Sequence, residues 1–167
     1  MDIISHGLYA GIAFGRKQKR EYITAFLFGI LPDLIAFGPY FLSMFLGIAA
    51  GPTGDFDNPK AIIVPNYVHA IYNVSHSLVI YAIFFALLWL LAKKSFAKLT
   101  FGWPLHILVD IPLHSLQFFP TPFLWPISNF HIDGTSWGNP YIFFPNLAFI
   151  VIIYTYWYFK NKKAKLN

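Results

Sequence analysis

The chain has 167 residues, of which 57% are hydrophobic and only 11% are charged. A soluble domain carries about 25% charged residues, so a water-facing surface cannot be covered here, and both a soluble globular domain and a disordered chain are excluded. With no cysteine, disulfides and thiolate chemistry are excluded as well, which leaves a small all-α integral membrane protein, residues 1–167 as one helical domain, with room for about four spans of roughly 20 residues.

Residues 1–15 are apolar but too short to span, and Met1-Asp2 is no basic leader for a secretory signal. A short re-entrant or interfacial helix is expected there, with Ser5 as its N-cap. The first span is expected over 22–50, where Asp33 is the sole formal charge. That stretch would measure ~43 Å as one helix against about 30 Å of hydrocarbon. A break is therefore expected near Pro32-Asp33, with Gly29, Gly38 and Pro39 adding to it. Further spans are expected over 66–92, over 99–118 with Asp110 as its only charge, and over 141–159. Between the last two lies a turn-rich outer loop, Asn129 to Gly138, carrying His131 and Asp133.

The net charge of +5 is not spread over a nucleic-acid-binding face. Eleven of the twelve Lys and Arg fall in three clusters, 16–20, 93–98 and 160–165, with Lys60 alone. Each cluster abuts an apolar run. With four alternating spans all three clusters lie on one side, which the positive-inside rule makes cytoplasmic together with the C-terminus. Trp89, Trp103 and Trp157 then fall at the inner boundary and Trp125 and Trp137 at the outer, as an aromatic belt would place them.

Ionisable residues inside a membrane are costly and are functional candidates by default. His106, Asp110 and His114 follow an i, i+4, i+8 spacing that lines one helix face. Pro104 suits that helix's first turn. His69, Tyr72, Asn73 and His76 form a second polar stripe at i, i+3, i+4, i+7. Counted at 1.5 Å per residue, Asp33 and Asp110 lie ~16 Å from the inner ends of their spans, and His76 ~15 Å from the outer end of its own. Three spans thus bring polar groups to one level. With His6 and His106 they make a nitrogen-and-oxygen donor set suited to a divalent metal, zinc first, manganese or iron as alternatives. His114, His69, His131 and Asp133 are further candidates for the site. Read as structure alone, His69 is an interfacial histidine, the 129–138 segment a solvated loop, and the intramembrane polar groups helix-packing bonds.

Ser5-His6, Gly29-x-x-Pro32-Asp33, Ser75-His76-Ser77 and Gly102-x-x-x-His106-x-x-x-Asp110, in this order between apolar runs, resemble the membrane-bound metal-dependent hydrolase family (YdjM/YbcI-like inner-membrane proteins). Phe119-Pro120-Thr121-Pro122 and Leu124-Trp125-Pro126 are similar to the proline-rich stretch that follows the His/Asp helix in that family. The resemblance covers roughly residues 5–138. It implies a multi-helix inner-membrane protein with a divalent-metal site on His6, Asp33, His76, His106 and Asp110. Where members often carry an acid after Pro-Asp and an Arg before His-Ser, this chain has Leu34-Ile35 and Ile71-Tyr72-Asn73-Val74. The resemblance therefore does not extend to a second metal or an anion-binding Arg at those places.

The expected function is metal-dependent hydrolysis of an ester or phosphoester, with a lipid or lipid-linked substrate at membrane depth. Asp33 and Asp110 are the expected catalytic carboxylates, one ligating and the other acting as base or orienting a histidine. Two other classes use the same residues differently: an ion or proton carrier with a His/Asp relay, and a non-enzymatic membrane scaffold. No Gly-x-Ser-x-Gly elbow supports a serine hydrolase.

Overall fold

A computed structural model describes residues 1–53, 63–91 and 94–163. Seven helices follow in order: α1 (Ile3–Phe14), α2 (Lys19–Phe45), α3 (Asn66–Ser75), α4 (Leu78–Leu91), α5 (Lys94–Leu99), α6 (Gly102–Leu113) and α7 (Pro140–Lys163). Among the described residues there is no strand, only an isolated bridge between Thr53 and Ile63. Lys60, Lys93 and Lys165 lie outside the described residues.

Two helices, Lys19–Phe45 and Pro140–Lys162, are each long and apolar enough to cross a membrane. A third crossing is available if α3 and α4, bent by 54° at their junction, act as one. The expected fourth, over 99–118, is not a span-length helix. Its helical part is the 12 residues of α6, ~18 Å at 1.5 Å per residue. Pro112 closes α6, and the chain runs on through the irregular, proline-rich 114–128 segment.

The expected break at Pro32-Asp33 is not there. α2 runs unbroken for 27 residues with Pro32 and Pro39 inside it. Each proline removes one backbone bond, and α1, α3 and α6 packed along the helix hold its course. The interruption falls instead at His76-Ser77, where no proline or glycine marks it. Its backbone groups are satisfied from elsewhere in the chain. Trp103 Nε1 donates to the Ser75 carbonyl at 2.7 Å, and Leu78 N–H donates to the Phe123 carbonyl at 3.0 Å. Ser77 Oγ donates to the Trp125 carbonyl and accepts from Val79 and Ile80 N–H at 3.1 Å each, capping α4. Non-helical backbone at membrane depth survives only with such partners. Trp103 is thus a buried internal donor rather than a boundary anchor.

α1, α2 and α6 meet at a crossing of small residues. A Cβ on Gly29 would lie 2.6 Å from both Ala10 Cβ and the His6 carbonyl, and one on Gly102 would lie 2.7 Å from the Ala25 carbonyl. Only glycine permits this approach, which small residues serve in membrane helices generally. Asp2, rather than Ser5, caps α1: its carboxylate accepts the Ser5 N–H at 2.9 Å, while Ser5 Oγ donates back at 2.5 Å. α7 has little of its surface covered and is tied on by polar bonds. Tyr9 donates to Asn146 Oδ1 at 2.7 Å, Asn146 Nδ2 to Ser5 Oγ at 3.0 Å, and Tyr154 to the Leu8 carbonyl at 2.8 Å.

Candidate metal centre

Four side chains from three structural units converge above the glycine crossing. α6 supplies His106 and Asp110, one turn apart on its inner face. α2 supplies Asp33, one turn beyond Gly29, and the α3–α4 junction supplies His76. One ligand atom from each lies within 4.8 Å of all the others.

The contacts outline a coordination polyhedron. His76 Nε2 is 3.1 Å from His106 Nε2, 3.4 Å from Asp33 Oδ1 and 3.9 Å from Asp110 Oδ2. His106 Nε2 is 3.7 Å from Asp33 Oδ1 and 3.1 Å from Asp110 Oδ2. Each residue turns the same atom to all its neighbours. A tetrahedral site with bonds of ~2.0 Å has edges of about 3.3 Å, close to these separations.

Proton bookkeeping decides what the four atoms can bind. His106 Nδ1 lies 2.7 Å from the Gly29 carbonyl, which only accepts, so Nδ1 carries the hydrogen and neutral Nε2 a lone pair. His76 Nδ1 lies 2.9 Å from Ser75 Oγ, and that hydroxyl reaches the Tyr72 carbonyl at 3.4 Å as a donor. His76 Nδ1–H therefore donates to Ser75, and its Nε2 also presents a lone pair. Two imidazole lone pairs and two carboxylate oxygens thus face one point in a buried setting, where Asp110 Oδ2 has no hydrogen-bond partner among the described residues. One proton can bridge one pair of these atoms. A divalent cation serves all four, and a carbonyl or hydroxyl behind each ligating imidazole is what metal sites employ to fix the ring.

Of the expected set, His6 stands apart from the four. Its ring stacks on His106 at 3.6 Å and its Nε2 approaches Asp110 Oδ1, the far oxygen, at 2.9 Å. Burial lowers the His6 imidazole to about 4 against the pull of Asp110, so it is neutral near pH 7. His114 lies beyond the last turn of α6, buried, with Nε2 3.6 Å from Asp110 Oδ1. His69 is exposed on α3 and stacks on Phe119 at 4.6 Å. His131 and Asp133 are outside the cluster. Asp133 accepts the Leu116 N–H at 2.9 Å, and the loop around it bonds the α6 terminus: Gly134, Thr135 and Trp137 N–H donate to the carbonyls of His114, Pro112 and Leu113. This loop caps a helix.

Tyr72 belongs to the site although the sequence reading gave it no role. Its ring stacks on His76 at 3.8 Å and its hydroxyl donates to the Phe119 carbonyl at 3.1 Å. The signal was its place in the 69–76 stripe. Gly29, expected to help break α2, instead orients His106 through its carbonyl.

No family model, curated protein or solved structure matches this chain.

Proposed function

We infer that the protein is a membrane-embedded, metal-dependent hydrolase of an ester or phosphoester in a lipid or lipid-linked molecule, similar in kind to the membrane-bound metal-dependent hydrolases its motifs resemble. The carrying observation is the near-tetrahedral convergence of His76, His106, Asp33 and Asp110. When bound, a divalent metal such as zinc polarises the substrate's carbonyl or phosphoryl oxygen and lowers the pKa of water. His76 and His106 would hold it, kept in one tautomer by Ser75 and Gly29. Asp110, enclosed to 1% exposure, would serve as ligand. Asp33 is the member open to the outside, with its side chain 15% exposed. Its Oδ1 faces the histidines, and with a metal bound its second oxygen would take a proton from water, as a general base does.

Support for a lipid-like substrate comes from the setting. An apolar groove of about 410 Å³ between α1, α6 and α7 is lined by Val109 and Leu113, which flank Asp110, and by Met1. Its chemistry suits an alkyl chain. The carrier reading draws on the helix interrupted at His76, a feature of ion sites in transporters. Four donors at these separations hold a cation rather than pass it on, which favours a resident metal.

The test is metal content and turnover of detergent-purified protein, with fluorogenic lipid ester and phosphoester substrates. Wild type should retain stoichiometric metal, and His106→Ala and Asp110→Ala should lose it. Asp33→Asn keeps a ligating oxygen but no base, so metal should remain while turnover falls roughly 10²–10⁴-fold. Equal, substoichiometric metal in wild type and variants would sink the reading.

A further inference from the structure

α7 lies beside α1 without packing closely on it. Little of its surface is covered, and the hydrogen bonds of Tyr9, Asn146 and Tyr154 tie the two helices together. An open furrow remains between them. Its first stretch, about 410 Å³, passes Val109 and Leu113 at the level of Asp110. Its second, about 300 Å³, ends between Arg16 and Lys160. Ile12, Ala13 and Phe149 line both, so the two are continuous. Tyr9 and Asn146, the polar side chains of the first stretch, are bonded to each other, which leaves apolar surface to be covered. Among the described residues no Asp or Glu lines either stretch. Glu21, the acid nearest to Arg16 in the chain, lines a separate cleft with Arg20. Arg16 also borders a cleft with Lys17 and Lys19, and Tyr156 and Trp157 stand beside Lys160, where an interfacial belt belongs.

We propose that this furrow binds one anionic phospholipid, its phosphate held by Arg16 and Lys160 and an acyl chain laid along Ile12, Ala13 and Phe149 toward Val109. The length fits. Along α7 the rise from Asn146 to Lys160 is ~21 Å at 1.5 Å per residue, and one leaflet with its headgroups measures about 20–22 Å, half of the whole bilayer. Charge complementarity selects the occupant, because cations clustered at the end of an apolar surface are what anionic headgroups recognise. A free phosphate uses none of the apolar stretch. A second copy of this chain, aligned in the same membrane, brings its own basic end against this one. The site goes beyond the hydrolase reading. A lipid so placed has its ester groups at the basic end, whereas His6 lies ~12 Å from Phe14 along α1 and Arg16 lies beyond Phe14. The stretch beside Asp110, which the hydrolase reading gives to a substrate's chain, is reached by this lipid only with its chain end. The lipid is held rather than cleaved, and it fastens α7 to α1.

Native mass spectrometry of the full chain in detergent reads the lipid retained per chain after titration with dioleoylphosphatidylglycerol or dioleoylphosphatidylcholine. Wild type should retain one phosphatidylglycerol and bind it roughly tenfold or more tightly than phosphatidylcholine. Arg16→Gln and Lys160→Gln should each weaken phosphatidylglycerol about fivefold, the worth of one cation beside a membrane surface, and leave phosphatidylcholine unchanged. Arg16→Lys combined with Lys160→Arg keeps both charges and should bind as wild type does. Ala13→Phe, in the shared stretch, should expel both lipids, and Lys98→Gln, outside the furrow, should change neither. Equal binding of the two lipids by wild type, an equal loss in Lys98→Gln, or retention by Ala13→Phe overturns the site. Displacement of the lipid by inorganic phosphate, or lipid-free dimers in its place, overturns it as well. Metal plays no part in this readout, so its failure leaves the metal centre untouched.

Discussion

At the scale of single residues, the candidate site is decided by what stands behind each imidazole rather than by the imidazoles themselves. The Gly29 carbonyl behind His106 can only accept, and the Ser75 hydroxyl behind His76 passes its own hydrogen to Tyr72. These bonds hold both Nε2 lone pairs toward Asp33 and Asp110. Removing Ser75 Oγ leaves His76 with no fixed tautomer while its ring keeps the stack on Tyr72. Ser75→Ala should therefore weaken metal binding roughly 10–100-fold, the usual cost of losing such a partner, without unfolding the protein. Competition against a chelator of known affinity measures this. Unchanged affinity would show that the Tyr72 stack alone orients His76. The His106–Asp110 pair was legible in the sequence because i and i+4 necessarily share a helix face. Tyr72 and the Gly29 carbonyl were not, because an aromatic ring and a backbone oxygen carry no label of their own.

At the scale of elements, the sequence reading placed a break in the wrong helix. Pro32 and Pro39 weaken α2 locally, yet the α2 path is fixed by the helices packed on it. The true interruption at His76-Ser77 depends on Trp103, 28 residues from Ser75, and on Trp125, 48 residues from Ser77. No sequence window contains those partners. The α1–α2–α6 crossing makes a sharper demand, since two glycines on the same helix should behave oppositely. A methyl at Gly29 meets Ala10 and the His6 carbonyl at 2.6 Å, whereas one at Gly38 meets only Leu34 of its own helix at 3.4 Å. Gly29→Ala should cost about 1–3 kcal/mol by overpacking and loosen metal binding by displacing the carbonyl behind His106. Gly38→Ala should be neutral or stabilise by about 0.5–1 kcal/mol, from helix propensity. Thermal unfolding in detergent separates the two, and equal losses in both would refute the crossing as the cause.

At the scale of the whole molecule, the 11% of charged residues is distributed by location as much as by number. The ends of α2, α5 and α7 that carry the basic clusters share one end of the fold. Arg16 and Lys160 line one groove there, Arg20 lines another with Ser95 and Phe96, and Tyr22 stacks on Trp157 at 5.9 Å. This grouping extends the sequence argument, in which only the count of Lys and Arg beside each apolar run set orientation. The α6 segment is too short to cross as a helix, and the 114–128 chain that follows it bonds to the His76-Ser77 junction before reaching the loop that caps α6. With the basic end in the cytoplasm, Arg16, Lys98 and Lys162 face one compartment and Ser136, in the loop that caps α6, faces the other. A chain without cysteine makes this directly measurable. Single variants Arg16→Cys, Lys98→Cys, Lys162→Cys and Ser136→Cys, treated with a membrane-impermeant maleimide in intact cells, should label only at position 136. Inverted vesicles should reverse the pattern. Labelling of Lys98→Cys together with Ser136→Cys in intact cells would break the shared basic end into two and exclude the proposed orientation.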